Sequence, residues 1–377
     1  MSSAPLIVHA SVEHGESGWG GTATAVALAA AGTVALGIET LVITPGANDA
    51  VTTASGGYRT RTLAAAGGRA GEIYESPERI DAGARLSRAM FDAIDAEHAG
   101  RPIWLIVHSE ELAVLLVLAS SAPWCERPLA FSHGLVVQEH PGREELAEQQ
   151  RTFFASAQLV FVASESQRAL AERLYPGTRF RCLALPLCLL TDELHALRQP
   201  ASRRIPGRLL AAGRAVPQKG FDILLRALAL IAPERELHLE LFLGHGEETV
   251  LRQCAALAAA LGERARLNSW SSRETLLGEM AQASAVLVPS RFEPLGIIAA
   301  EALALRTPVI ATRTGGLAEM LAPVAGAILV DPEGDDGASP QRLAAGLSAM
   351  PATPWELDGP GRLKTYSLTR FGEALNL

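Results

Sequence analysis

The chain has 377 residues, 48% of them hydrophobic, with a formal net charge of −8 and four cysteines. At about 100–200 residues per domain, this length holds two domains, each able to bury a full core. The negative charge argues against nucleic acid as the main partner, and no unbroken apolar stretch reaches the roughly 18–20 residues of a membrane span.

The N-terminus, MSSAPLIVHASVEHGE, has no basic start and no apolar core followed by a cleavage site. It reads as a first strand, not a signal peptide. The first half is acidic and carries no long Lys/Arg cluster, which weighs against docking on anionic lipid. Cys125, Cys182, Cys188 and Cys254 are scattered, without CxxC or Cys/His metal spacing. They read as reduced thiols of a cytoplasmic protein without a structural zinc.

Short apolar runs alternate with Ala/Leu-rich helical segments, the pattern of parallel sheets covered by helices on both faces. In the first half the predicted strands are Pro5–Ala10, Thr40–Thr44, Pro102–Val107, Leu129–Ser132, Gln158–Val162 and Phe180–Leu185. The predicted helices there are Thr22–Leu36, Leu112–Ser120, Arg143–Ala157 and Ser166–Leu174. Thr191–Pro206 is polar and contains Pro200 and Pro206, as an interdomain linker would. The alternation then resumes. Strands are expected at Arg208–Ala212, Leu237–Leu243, Ala265–Asn268, Ala285–Pro289 and Pro308–Ala311. Helices are expected at Phe221–Ile231, Glu248–Leu261, Arg273–Gln282, Gly296–Leu305 and Leu317–Leu321. The division is therefore residues 1–190, a linker over 191–206, and residues 207–377. A cleft flanked by two such α/β halves is a common ligand site.

Several segments carry chemistry. GESGWGGTATAVALA, Gly15–Ala29, follows the first strand, and its Gly20 and Gly21 would let backbone approach a ligand at a helix start. It is not GxGxxG, and a flexible turn reads equally well. FSHG, Phe131–Gly134, ends a strand with His133 aimed at the cleft, although a lone histidine is more often structural. His108, after WLIV, also ends a strand and reads more readily as structural.

In AAGRAVPQKGFDILLRAL, Ala211–Leu228, Arg214 and Lys219 lie at the carboxyl end of a strand, where open α/β sheets bind ligands. Arg holds phosphate oxygens as a fork and Lys as a point charge. Lys219 and Lys364 are the only two lysines of the chain. The competing reading is a solvated basic loop. In SRFEPLGIIAAEAL, Ser290–Leu303, Gly296 lies near a helix start whose free N–H groups and dipole favour a diphosphate. Glu293 and Glu301 are eight positions apart, roughly 12 Å along a helix. One carboxylate would then reach sugar hydroxyls and the other ribose hydroxyls; an ordinary capped helix is the alternative. LGHGE, Leu243–Glu247, and TGGLAE, Thr314–Glu319, are further glycine turns at strand ends.

Together these segments resemble the GT-B glycosyltransferases, in particular glycosyltransferase family 4, which is retaining. GRAVPQKGFDILLRAL is similar to the family's GR-x-x-x-x-KG-x-D-x-L-x-x-A segment, SRFEPLGIIAAEAL to its E-x7-E segment, and RTPVIATRTGGLAEML to the G-x-PVI-x-x-x-x-GG-x-x-E stretch that follows. The first half matches in outline, through the glycine turn, FSHG and ASAQLVFVASESQRALAERLYPG. The resemblance implies an α/β GT-B fold: two Rossmann-like domains with parallel sheets facing a central cleft, the first binding acceptor and the second nucleotide sugar, with the last helix packing back on the first domain.

It further implies that Arg214 and Lys219 hold the donor diphosphate, that Glu293 contacts the donor sugar and Glu301 the ribose, and that the backbone of Leu295, Gly296 and Ile297 faces phosphates and sugar. His133 would lie beside the transferred sugar, and Gly20 and Gly21 near the phosphates or the acceptor. The family needs no metal or other cofactor, the nucleotide-diphosphate sugar being a co-substrate; a UDP-sugar is the first expectation. The acceptor hydroxyl attacks from the leaving-group side, with a phosphate oxygen taking its proton. An acidic first domain favours a small soluble or glycan acceptor over a lipid.

No DxD pair follows a strand; Asp335-Asp336 reads as solvated. The chain departs from the family at Leu295, where Phe is usual, at Pro294, where Gly is common, at Arg306, which replaces Gly, and at LPLCLLTDELH in place of the usual hinge. A nucleotide-sugar 2-epimerase on the same fold and a non-catalytic sugar-nucleotide-binding protein are the competing readings. A nicotinamide-dependent dehydrogenase is disfavoured, because the chain lacks a GxGxxG with an acidic residue about 20 positions on.

Overall fold

The computed structural model describes residues 5–14, 20–64, 79–98, 100–139, 142–269, 271–334, 337–351 and 355–376. The chain divides into two compact units, one formed by Met1–Pro186 with Ser367–Leu377 and the other by Leu187–Tyr366.

The first unit is built on an eight-stranded sheet in the order β3-β4-β2-β1-β5-β6-β7-β8. These strands are β1 Leu6–Ala10, β2 Thr40–Pro45, β3 Ala50–Thr53, β4 Arg59–Leu63, β5 Ile103–Val107, β6 Cys125–Ser132, β7 Leu159–Val162 and β8 Phe180–Cys182. All pairings are parallel except that of β3 with β4. LIVHA of β1 and LVFV of β7 are buried at every position, as strands covered on both faces must be. Helix α1, Gly21–Ala35, follows β1.

Two strands and one helix of this unit are among the elements that escaped the apolar pattern, as did the strand Ile328–Val330 and the helix Pro340–Ser348 of the second unit. β3 and β4, AVTT and RTRTL, sit at the sheet edge with polar, partly exposed residues. Helix α2, Arg79–His98, is polar on average yet buries Leu86, Met90 and Ile94 at helical spacing. The final helix, Leu368–Leu375, packs in this unit: Phe371 is fully buried beside Gly32 of α1. Arg127 and Arg181 donate to the carbonyls of Leu375 and Ala374.

The second unit has a six-stranded, all-parallel sheet in the order β11-β10-β9-β12-β13-β14. Its strands are β9 Arg208–Ala215, β10 His238–Gly246, β11 Ala265–Ser269, β12 Ala285–Val288, β13 Val309–Thr312 and β14 Ile328–Val330. β9 comes first in the chain and lies between β10 and β12, so the winding reverses at β9/β12. Helices Phe221–Ala229, Glu248–Leu261, Arg273–Gln282, Ile297–Ala304 and Gly315–Leu321 follow β9 to β13 in turn. IIAAEALA, Ile297–Ala304, is buried at all positions but one, which its small apolar residues on every side require.

Thr191–Pro206 differs from the linker reading, because it is built into the second unit. Its arginines serve as structural clamps. Arg198 donates to the Ala304 carbonyl at 2.8 Å. Arg204 is 4% exposed and donates to the Trp355 and Arg306 carbonyls at 2.7 and 2.8 Å. Polar composition suggested an interdomain linker; the terminal nitrogens of Arg204 are instead held by backbone oxygens, which offsets much of the cost of burying that charge, although its Nε is buried without a partner. The four cysteines form no disulfide, and no described helix is long and apolar enough to cross a membrane.

Candidate functional site

In the second unit the chemistry gathers at the carboxyl ends of β9 and β12, the two strands that flank the winding reversal. Ligands of open α/β sheets bind at such a point because the connecting helices diverge there. β9 ends in Gly213-Arg214-Ala215; a single 3-10 turn, Pro217–Lys219, then delivers Lys219 before the helix that starts at Phe221. β12 ends at Val288, and Ser290 and Glu293 follow. Lys219 Nζ donates to Glu293 Oε2 at 2.7 Å, and Ser290 Oγ to the same oxygen at 3.1 Å. Lys219, Phe221, Ser290, Glu293 and Ile298 line a small hollow above these strand ends.

The two loops are locked to one another. Arg291 holds Asp222 as a two-pronged fork, 2.9 Å at each contact. Burial raises the Asp222 carboxyl, but this fork together with the backbone N–H groups of Ile223 and Asp222 outweighs it and leaves the group below its ordinary value. The Arg291 amide donates to the Gln218 carbonyl at 2.8 Å, and the Gln218 side chain to the Phe292 carbonyl at 3.1 Å.

Gly296 caps the helix Ile297–Ala304 at φ 89°, a left-handed conformation that glycine adopts without strain. A Cβ there would lie 2.5 Å from Leu317 Cδ2. Leu295 and Ile297 are themselves buried, 6% and 9% exposed. What this turn offers a ligand is therefore backbone, including the first-turn amides that a helix leaves without intrahelical acceptors. The TGG turn supports it from beneath. The Gly316 amide donates to the Glu293 carbonyl at 2.8 Å, and a Cβ on Gly316 would lie 2.3 Å from the Pro294 carbonyl oxygen.

Glu301 is 5% exposed inside its helix. Its Oε1 accepts from Arg273 Nε at 2.8 Å, and Arg273 also donates to Glu193 at 2.6 Å. Burial raises the Glu301 carboxyl, and Arg273 offsets part of that rise. Leu243–Glu247 is not a simple turn: β10 continues to Gly246, with a register irregularity between Gly244 and Gly246 against β9.

In the first unit, Gly20 caps α1 at φ 84° and Gly21 opens it; the preceding Gly15–Trp19 of the glycine turn, like Asp335-Asp336, lies outside the described residues. His133 follows β6, half-buried. Its ring stacks on Phe131 at 4.4 Å between centroids, and its Nε2 is 3.0 Å from His108 Nδ1. Burial holds the His133 imidazole down to about 4. Among the described residues no cluster of three or more His, Cys, Asp or Glu side chains could hold a metal ion.

Sequence reasoning missed Arg273, the Arg291–Asp222 fork and His9. Each pairs with a residue far along the chain, and no local motif marks a partner 28 or 69 positions away.

The fold of the chain is that of solved GT-B proteins. Sucrose-phosphate synthase from Thermosynechococcus elongatus superposes with a TM-score of 0.75 at 23% identity, over 99% of this chain and 98% of that one. The catalytic domain of starch synthase IV from Arabidopsis thaliana, bound to ADP and acarbose, gives 0.66 at 14% identity, with both chains covered in full. Within this fold, residues 198–348 match the family Glycosyl transferases group 1. The matched residues lie within the second unit. Curated relatives include the D-inositol 3-phosphate glycosyltransferase of Segniliparus rotundus, 32% identical over 163 residues, 42% of this chain and 35% of that protein. Another is the MMP alpha-(1->4)-mannosyltransferase of Mycolicibacterium hassiacum, 32% identical over 128 residues, 34% of this chain and 31% of that protein. The matched region spans about a third of the length of these relatives.

Proposed function

We propose that the protein is a retaining, metal-independent glycosyltransferase that moves a sugar from a nucleotide-diphosphate donor, UDP-linked in the first instance, to a hydroxyl of a small soluble or glycan acceptor in the cytoplasm. The observation that carries the reading is the meeting of Lys219 and Glu293 at the winding reversal of the second sheet, beside the amino end of the helix Ile297–Ala304. Cation, carboxylate and backbone amides together suit a sugar diphosphate: the first and last meet phosphate oxygens, the carboxylate accepts from sugar hydroxyls.

Glycosyl transfer separates a nucleoside diphosphate from an oxocarbenium-like sugar. Arg214, Lys219 and the helix end would stabilise the leaving group electrostatically, the task a divalent cation performs elsewhere. Glu301, placed one helix turn and more beyond Gly296, is assigned to the ribose. Gly20 and Gly21 are assigned to the phosphates or acceptor, and His133 to the transferred sugar; both assignments rest on the family resemblance. The names of the relatives, an inositol-phosphate glycosyltransferase and a sucrose-phosphate synthase among them, support a small acceptor that itself carries phosphate.

A thermal-shift panel of nucleotide sugars identifies the donor, and acceptor-dependent nucleotide release in EDTA then tests transfer. The expected outcome is release that requires acceptor and survives chelation. Binding without turnover would overturn the catalytic reading in favour of a sensor. Turnover abolished by EDTA and restored by magnesium would overturn metal independence.

A further inference from the structure

Three histidines form a hydrogen-bonded chain across three neighbouring strands of the first sheet. His9 is on β1, His108 directly follows β5, and His133 directly follows β6. His9 Nδ1 lies 2.9 Å from His108 Nε2, and His108 Nδ1 lies 3.0 Å from His133 Nε2. His9 is fully buried, His108 is 2% exposed, and Phe131 packs against the rings of both His108 and His133. Burial pushes His9 down to about 3, His133 to about 4 and His108 well below its ordinary value. All three rings are therefore neutral near pH 7, with one proton each.

A neutral imidazole has one donor and one acceptor nitrogen. Each nitrogen–nitrogen contact needs one of each, so all three protons must run in the same direction along the chain. Two arrangements satisfy this. In one, His9 Nδ1–H donates to His108, His108 Nδ1–H donates to His133, and His133 keeps its proton on Nδ1. In the other, every bond is reversed and His9 carries its proton on Nε2. His9 Nε2 is buried without a hydrogen-bond partner. The reversed chain would strand an N–H there, whereas the first leaves only a bare acceptor nitrogen. An orphaned buried N–H is the rarer defect, because it loses its full hydration.

We propose that His108, backed by His9, is a positioning residue that fixes His133 in the Nδ1–H form, so that His133 meets its ligand as a neutral donor to a hydroxyl oxygen. The inference rests on the glycosyltransferase reading only for the identity of that ligand, a sugar hydroxyl. Without His108, His133 would revert toward the Nε2–H form that a free imidazole prefers, and would present an acceptor instead.

Long-range proton–nitrogen correlation spectra of the histidine side chains, recorded on the full chain, test this directly. In the wild type the His133 proton is expected on Nδ1. His108→Phe should move it toward Nε2, and His108→Asn, whose amide can donate from the position of the lost Nδ1, should return it. A wild-type His133 protonated on Nε2, or a tautomer indifferent to His108→Phe, would overturn the proposal, and the wild-type spectrum decides even if a variant fails to fold. With the donor found by thermal shift, transfer should fall roughly two- to tenfold in His108→Phe and recover in His108→Asn, the loss of one neutral hydrogen bond. If the tautomers behave as expected but the wild type turns over no nucleotide sugar, the glycosyltransferase reading fails and the positioning of His133 stands.

Discussion

Lys219 Nζ and Glu293 Oε2 lie 2.7 Å apart although 74 residues separate them in sequence. The contact exists because β9 and β12 are adjacent, parallel and open at their carboxyl ends. A cation held there by a carboxylate would already be oriented for the diphosphate proposed to bind beside it. Lys219→Ala and Arg214→Ala are each expected to weaken nucleoside diphosphate binding by about 1.5–3 kcal/mol, the worth of a charge-assisted hydrogen bond. Nucleoside binding should change far less. Calorimetry with UDP and uridine is the measurement; equal losses for the two ligands would remove these residues from the phosphates.

Glu293 and Glu301 are expected to divide the donor. Glu301→Ala should weaken both nucleoside diphosphate and intact donor, since both carry the ribose. Glu293→Ala should spare the nucleoside diphosphate and lower turnover. Each variant is titrated with both ligands, with circular dichroism as the check on folding. The opposite pattern would reverse the two assignments.

Arg273 keeps a buried carboxylate in place. Removing one partner of a fully buried pair costs about 3–5 kcal/mol, but the Arg273 side chain is 38% exposed, so about 2 kcal/mol is expected for Arg273→Met. The sign of its pH dependence is fixed. Burial already raises Glu301 in the folded state; without Arg273 the rise grows, and the folded protein binds a proton that the unfolded chain has released. Stability is then retained below the ordinary carboxylate range and lost as pH climbs above it. Urea unfolding at pH 5 and pH 8 should show the larger deficit at pH 8, and adding Glu301→Gln should remove the difference. A deficit that is the same at both pH values would refute the linkage.

Arg306 adopts φ 60°, a left-handed conformation that costs an L-residue about 1–2 kcal/mol. It stands where the resembled family has glycine. Glycine loses more chain entropy on folding, so the net gain from Arg306→Gly is expected at about 0.5 kcal/mol, read as a small rise in Tm. The carbonyl that accepts from Arg204 is kept in the variant. A fall in Tm would mean that the Arg306 side chain, 3.8 Å from Glu356, contributes more than the strain removes.

The sequence by itself determined the alternation of buried strands and helices, because parallel strands covered on both faces must be apolar throughout and their helices must show a buried stripe. It also placed Arg214 and Lys219 at the end of a strand, Glu293 in the loop after another and Gly296 at a helix start, since those positions follow from where one apolar run stops and the next begins. β3, β4 and α2 stayed hidden: an edge strand and a half-exposed helix bury too little to leave a strong period. Thr191–Pro206 looked like a linker because composition counts charges without seeing the carbonyls that satisfy them. Only the tertiary structure decided which strand ends are neighbours. That adjacency joined Lys219 to Glu293, set Arg273 against Glu301, and lined up His9, His108 and His133. Such pairs depend on strand order, and strand order is fixed by packing across the whole sheet rather than by any local run of residues.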